Sequence, residues 1–285
     1  MAGRNERQRR QARERYRRQQ EERLARQQRL RKRWLAGGSA VLAAALIASL
    51  LLVFLPGGSA KKPSASASKS ASPTTSAAAV AEPAHHCSYK AATPVAKKVS
   101  FPPAAPDYTA SYTATIKTNL GDISFNLLNS KATCTVNSFV HLAEAGYFNN
   151  TQCHRVVNSG IYVLQCGDPY ATASTKLTCS STGKIGTGTP GYDFASENLT
   201  GAKYPAGTVA MANNGTASSN GSQFFIVFKD STSGLTASYT PFATVSSGLG
   251  IVQNVAKSGT SCQYSAGGGA PKKKVIIDSV TIKKT

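Results

Sequence analysis

The sequence predicts a mainly β fold with two helices, arranged as a closed antiparallel barrel with helices over its ends, downstream of a membrane anchor. Three observations lead there. Several short apolar runs in the second half of the chain are separated by Gly, Asn, Asp and Ser, the pattern of short strands joined by turns. Two further segments carry apolar residues at helical spacing. Finally, the 22 residues from Trp34 to Leu55 carry no charge, enough for a helix to cross ~30 Å of hydrocarbon.

The 285 residues carry a formal charge of +20, and its distribution decides its meaning. Residues 1–33 hold 14 Lys and Arg against 4 Glu, which is half of the excess. This segment is rich in helix formers but has no sustained apolar stripe, so it reads as a solvated basic tail. Attraction to anionic lipid headgroups fits the same residues, and no nucleic-acid partner is expected. The uncharged stretch 34–55 follows directly. Its basic flank and apolar core are both longer than those of a cleaved secretory signal, so it is expected to persist as a single-pass transmembrane anchor. The arginine-rich side should stay in the cytoplasm, which puts everything after Leu55 on the extracytoplasmic side of the cell membrane.

Residues 56–107 are dominated by Ala, Ser, Pro, Thr and Lys, with almost no large apolar side chains. Such a composition cannot offset its ordering entropy, so a flexible linker is predicted. His85, His86 and Cys87 lie inside it without a second ligand cluster at metal-binding spacing. The folded domain is therefore expected at 108–285.

Within that domain, apolar runs at Tyr112 to Thr118 and Ile123 to Leu127 flank Asn119-Leu120-Gly121-Asp122 and predict a hairpin. Val136, Phe139, Val140 and Ala143 fall at i, i+3, i+4 and i+7 and predict a helix, with Thr133 or Thr135 as its cap and Gly146 as its stop. His141 and Glu144 on that helix read as an exposed pair. Strands are predicted near Gln152 to Val157, Tyr162 to Cys166, Thr208 to Ala212 and Gln223 to Phe228. A shorter helix is predicted from Leu249 to Lys257, and a last strand from Lys274 to Lys283. The segment Gly186-Thr187-Gly188-Thr189-Pro190-Gly191 matches the glycine spacing of a dinucleotide site. Pro190 and its loop-like surroundings break the strand-to-helix context that chemistry needs, so a glycine-rich surface loop is expected. No G-x-S-x-G elbow and no H-E-x-x-H occur, which removes the common hydrolase readings.

Two stretches stand apart, Gln152 to Asp168 (QCHRVVNSGIYVLQCGD) and Met211 to Phe228 (MANNGTASSNGSQFFIVF). Both are apolar runs with a few uncharged polar residues, and they contain one cation, Arg155. It is the only arginine among the 252 residues from Trp34 to Thr285, although lysine is used freely there. These stretches resemble the core of the cyclophilin family of peptidyl-prolyl isomerases in His154-Arg155, Gln165-Cys166-Gly167-Asp168, Met211-Ala212-Asn213 and Asn220 through Ile226. The resemblance runs from about Tyr108 to Lys284. It implies an eight-stranded closed barrel, an active groove on its outer face, proline-containing unfolded or exported polypeptides as substrates, and no metal or organic cofactor.

An X-Pro amide resists rotation by ~18–20 kcal/mol while its cis and trans forms differ by only ~0.5–1 kcal/mol. A catalyst has no bond to break and need only stabilise the twisted state. An apolar hollow for the proline ring, with a permanent cation able to hydrogen-bond the pyramidalised nitrogen, supplies that, and Arg suits the task better than Lys. Arg155 is accordingly the expected catalytic residue. The resemblance implies Phe225 as floor of the pocket, Tyr162, Val163, Met211 and Leu235 as walls, and Tyr239 at the rim where many relatives carry His. It implies Gln165, Ala212, Asn213 and Gln223 as backbone-binding residues. His154 alternates with Arg155 along its strand and should point the other way, as a structural residue.

Three departures from the family pattern occur. The interval from His154-Arg155 to Gln165 is two residues longer, which leaves open whether Ile161 or Tyr162 faces the pocket. Gly234 replaces a tryptophan that many relatives place before the pocket leucine, which predicts weak binding of cyclosporin. An insertion spans about Tyr170 to Lys184. All six cysteines follow the anchor, as expected on an oxidising side of the membrane. Cys179 and Cys262 both fall in loops and are candidates to pair, whereas Cys134, Cys153 and Cys166 are equally readable as buried thiols. The alternative to an isomerase is a membrane-tethered proline-peptide binding module or scaffold with little turnover.

Overall fold

The structure, a computed structural model, describes residues 86–179, 183–264 and 267–285. The expected basic tail, the anchor and most of the linker lie outside the described residues. Among those described, no helix is long and apolar enough to cross a membrane.

The elements are β1 (Tyr89–Ala91), β2 (Tyr112–Thr118), β3 (Gly121–Leu127), α1 (Thr133–Glu144), β4 (Thr151–Gln152), β5 (Arg155–Ser159), β6 (Ile161–Cys166), β7 (Tyr192–Phe194), β8 (Thr208–Met211), β9 (Phe224–Val227), β10 (Pro241–Ser247), α2 (Leu249–Lys257) and β11 (Ile276–Lys284). Nine strands form one sheet in the order β4-β11-β2-β3-β10-β8-β9-β6-β5, and β1 pairs with β7 in a second. All ladders are antiparallel. The sheet curls but does not close, which corrects the expected closed eight-stranded barrel. β4 and β5 stand at its two edges, separated in the chain only by Cys153 and His154. This single segment pairs first with β11 and then with β6, so the sheet ends where a barrel would be joined.

The β2–β3 hairpin forms because alternate residues Ala114, Ile116, Ile123 and Phe125 are buried, and the Thr118 hydroxyl donates to Gly121 O at 2.6 Å across the turn. Gly121 holds φ 116°, open to glycine and strained for other residues. α1 buries Val136, Phe139, Leu142 and Ala143, and Phe139 meets Phe148, Phe242 and Phe224 at ring distances of 5.3, 5.2 and 5.7 Å. The expected threonine cap is corrected. Ala132 precedes α1 with no side-chain cap, and the Glu197 carboxylate accepts from Cys134 N (3.1 Å) and Thr135 N (2.7 Å) instead. An anion brought from elsewhere in the chain thus satisfies the helix end and its dipole.

The expected linker ends well before 107. Cys87 forms a disulfide with Cys134 at the start of α1, Tyr89 donates to Cys134 O at 2.9 Å, and its ring packs edge-on against Tyr192 and Phe194. Composition misled here because one covalent tie and a few well-placed aromatic rings are enough to hold residues 87–106 as a strap. Two further disulfides, Cys153–Cys166 and Cys179–Cys262, leave no free cysteine among the described residues. The Cys179–Cys262 pairing agrees with expectation, and the reading of Cys134, Cys153 and Cys166 as thiols is overturned.

Candidate active site

The sheet presents two apolar faces. Phe224, Ile226, Leu164, Val209 and Met211 point into the main core, while Phe225, Val227, Val163, Val157 and Ala210 form a smaller cluster on the outer face. Strand alternation produces this division, since successive side chains leave opposite faces. Register then sets a row across the outer face. Arg155 of β5 stands opposite Gln165 of β6, Gln165 opposite Phe225 of β9, and Phe225 opposite Ala210 of β8. With neighbouring strands ~4.8 Å apart, the guanidinium and the phenyl ring start from backbones about 10 Å apart.

Between them lies a cavity of about 440 Å³. Of the expected residues, Arg155, Val163, Gln165, Ala212, Asn213, Phe225, Leu235 and Tyr239 line it. Tyr239 stands edge-on to Phe225, 5.5 Å between rings and 80° between planes. The buried Tyr204 fixes the loop that carries Leu235 and Tyr239, its hydroxyl donating toward Thr236 O and Tyr239 O and accepting from Tyr239 N.

Two expected walls are corrected. Met211 is buried in the core on the opposite face, and Tyr162 packs against the same core with Lys229 Nζ 4.6 Å over its ring. Both occupy inward positions of strands whose outward neighbours are Ala210, Ile161 and Val163, so Ile161 lines the cavity and Tyr162 does not. Gln223 lines a second, adjoining cavity.

A chain of hydrogen bonds orients the polar groups. Arg155 Nε donates to Gly267 O at 2.8 Å and Nη1 to Gln165 Oε1 at 3.1 Å. Gln165 Nε2 donates to Gln223 Oε1 at 3.0 Å, and Gln223 Nε2 to Gly188 O at 3.1 Å. Burial pulls the Arg155 pKa down, but from a value so high that the group remains a cation. His154, expected to point away from the groove, is buried but borders the same cavity as Arg155, and burial with the adjacent Arg155 charge pushes its pKa to about 3. It is therefore neutral at ordinary pH.

The longer β5–β6 turn and the missing tryptophan prove to be one feature. A Cβ built on Gly234 would stand 2.7 Å from Ile161 Cγ2 and closer still to Gly160 O, so the extended turn occupies the space a large residue at 234 would need. Sequence reasoning missed Gly183, Ile185, Gly186, Thr187 and Tyr264, which complete the cavity. The glycine-rich segment is exposed at Gly186 and Thr187, as a surface loop should be, and the Asp168 carboxylate accepts from Gly186 N where the loop borders the groove. Tyr264 sits in a Ser- and Gly-rich stretch that gave no signal, and its hydroxyl donates to His154 O at 3.1 Å. The insertion is tied beside the groove by Cys179–Cys262.

Comparison with known proteins agrees with this architecture. Residues 113–282 match the family model described as cyclophilin type peptidyl-prolyl cis-trans isomerase. The chain is 39% identical over 216 residues to the probable peptidyl-prolyl cis-trans isomerase B of Mycobacterium leprae, covering 69% of this chain and 66% of that protein. It is 40% identical over 194 residues to the protein of the same description in Mycobacterium tuberculosis, covering 62% and 56%. A crystal structure of a Cryptosporidium parvum cyclophilin type peptidyl-prolyl cis-trans isomerase superposes with TM-score 0.50 at 26% identity, covering 61% of this chain and 99% of that one. With its outer-face groove, its Arg155–Gln165–Phe225 row and a family match over most of the described residues, this chain belongs to the cyclophilin-type peptidyl-prolyl cis-trans isomerase family.

Proposed function

We propose that the domain accelerates cis-trans isomerisation of X-Pro bonds in unfolded or partly folded exported polypeptides. The observation that carries this reading is a guanidinium gripped at Nε by Gly267 O and at Nη1 by Gln165, on the wall of an apolar cavity containing Phe225. The proline ring enters the hollow among Phe225, Val163, Ile161, Leu235 and Tyr239. The backbone at Ala212 and Asn213, with the Gln165 amide, holds the peptide on either side.

As the amide twists, its nitrogen loses conjugation and gains a lone pair, and Arg155 donates to it. That bond exists only in the twisted state, so it lowers the barrier without tightening either planar form. The hydrogen bonds to Gly267 O and Gln165 help keep the fork in one plane, so little reorganisation accompanies the reaction. The reaction makes and breaks no covalent bond and calls for neither metal nor organic cofactor. The uncharged stretch 34–55 and the three disulfides support a location outside the cytoplasm, tethered to the membrane by one span. There, uncatalysed proline isomerisation takes tens of seconds and limits folding.

The test is the exchange rate of an X-Pro peptide with and without the chain. Acceleration at catalytic concentrations supports an isomerase. Peptide binding without acceleration replaces it with a tethered binding module.

A further inference from the structure

The second cavity, of about 370 Å³, shares Gln165, Gly186, Thr187, Ala212 and Asn213 with the first. Thr93 and Pro94 of the strap also line it, and both lie outside the residues 113–282 matched by the family model. The strap is fastened to the glycine-rich loop at several points. Ala92 N donates to Gly191 O at 3.0 Å, Ala96 N to Thr189 O at 3.1 Å, and the Thr189 hydroxyl to Pro94 O at 2.6 Å. Val95 forms a bridge with Thr189, and the Cys87–Cys134 disulfide fixes the strap's start. Strap and loop together make one wall. No residue lining this cavity carries a charge, and Val95, 47% exposed, lies beside Pro94 in the strap.

We propose that the strap is a specificity-determining element, with Thr93 and Pro94 making the second cavity select a small uncharged side chain beside the X-Pro pair of a bound peptide. The inference rests on the proposed function for the placement of proline in the first cavity. A peptide advances ~3.3–3.6 Å per residue, so a chain continuing from one cavity into the adjoining one brings a neighbouring residue against the strap. A charged side chain there would surrender hydration without a charged partner. A bulky one would meet Pro94, whose carbonyl is held by Thr189.

The test uses the full chain and Ala-Pro peptides that differ only in the residue on one side of the pair, each flank varied separately among Ala, Ser, Glu, Lys and Trp. Both dissociation constants and isomerisation rates are measured. At one flank, Ala and Ser peptides should bind about tenfold more tightly than Glu, Lys or Trp peptides. In T93A/P94A the Trp penalty at that flank should shrink to about twofold. Thr93 is exposed, so charge variants there are compatible with the fold. T93E should shift preference toward the Lys peptide, and T93K toward the Glu peptide, by about threefold in opposite directions. An unfolded chain cannot give that reversal. Preferences unchanged within about twofold across wild type, T93E and T93K overturn the inference. Selective binding without acceleration keeps it and overturns the isomerase reading, while absence of peptide binding overturns both.

Discussion

Replacing Gly234 by Ala is the most pointed test of how the groove is packed. The new Cβ would stand 2.7 Å from Ile161 Cγ2 and closer to Gly160 O, and neither side has slack. The 231–235 loop is tied to β6 by Tyr162 N donating to the Ser231 hydroxyl at 2.9 Å, and is held in shape by Gly234 N and Leu235 N donating to Ser231 O within it. Overpacking of this kind costs about 1–3 kcal/mol, and for a domain of roughly 200 residues each kcal/mol moves Tm by ~2–4 °C. A fall of ~2–12 °C follows, read by thermal unfolding with disulfides intact. Because Ile161 lines the cavity beside Arg155 and Phe225, kcat/KM should fall as well. Gly250 of α2 is the control, since nothing lies within 4 Å of a Cβ there and Ala should stabilise by about 0.5–1 kcal/mol. If Gly234→Ala matches wild type in Tm and rate, the packing of the β5–β6 turn against Gly234 is not what shapes the groove.

Three further outcomes are expected. His154 has a folded pKa of about 3 against an ordinary value of 6.5, so between those pH values the unfolded chain takes up a proton that the folded chain refuses. Stability from this site is complete above pH 6.5 and lost as pH falls, by up to ~1.4 kcal/mol per unit. Denaturant curves for wild type and His154→Leu should therefore diverge in slope from pH 6.5 to 4, and parallel curves would exclude it. Replacing both Cys87 and Cys134 by Ser opens a tie spanning 47 residues, a loss of about 4 kcal/mol at the chain-entropy limit. The denaturation midpoint should drop, with first proteolytic cuts in 87–106. Cyclosporin should inhibit with a constant above about 1 µM, since Gly234 offers no stacking wall, and tighter inhibition would show another surface in that role.

Much of this was legible in the sequence where a period was visible. The β2–β3 hairpin, α1 and α2 follow from alternation or helical spacing, and the order of the motifs indicated that Arg155, Gln165 and Phe225 would meet. Met211 and Tyr162 were misplaced because β6, β8 and β9 are largely apolar on both faces, leaving no polar alternation to tell core from groove. β7 is three residues long and β10 carries register shifts at Pro241/Ala243 and Val245/Ser247, so neither gave a strand signal. Cys153–Cys166 became readable only once register set Arg155 opposite Gln165. The strap escaped notice because its order comes from a disulfide, backbone hydrogen bonds and a few aromatic contacts, and composition records little of these.

The central claim is that Arg155 stabilises the twisted amide and contributes little to holding the planar peptide. The direct measurement is the isomerisation rate and peptide affinity of Arg155→Ala and Arg155→Lys beside wild type. Loss of a donor that acts only in the transition state should lower kcat/KM by about 10²–10³-fold, with affinity changed only a few-fold and Lys recovering only part of the rate, since it lacks the fork held by Gly267 O and Gln165. An Arg155→Ala chain that isomerises X-Pro bonds as fast as wild type would contradict the account.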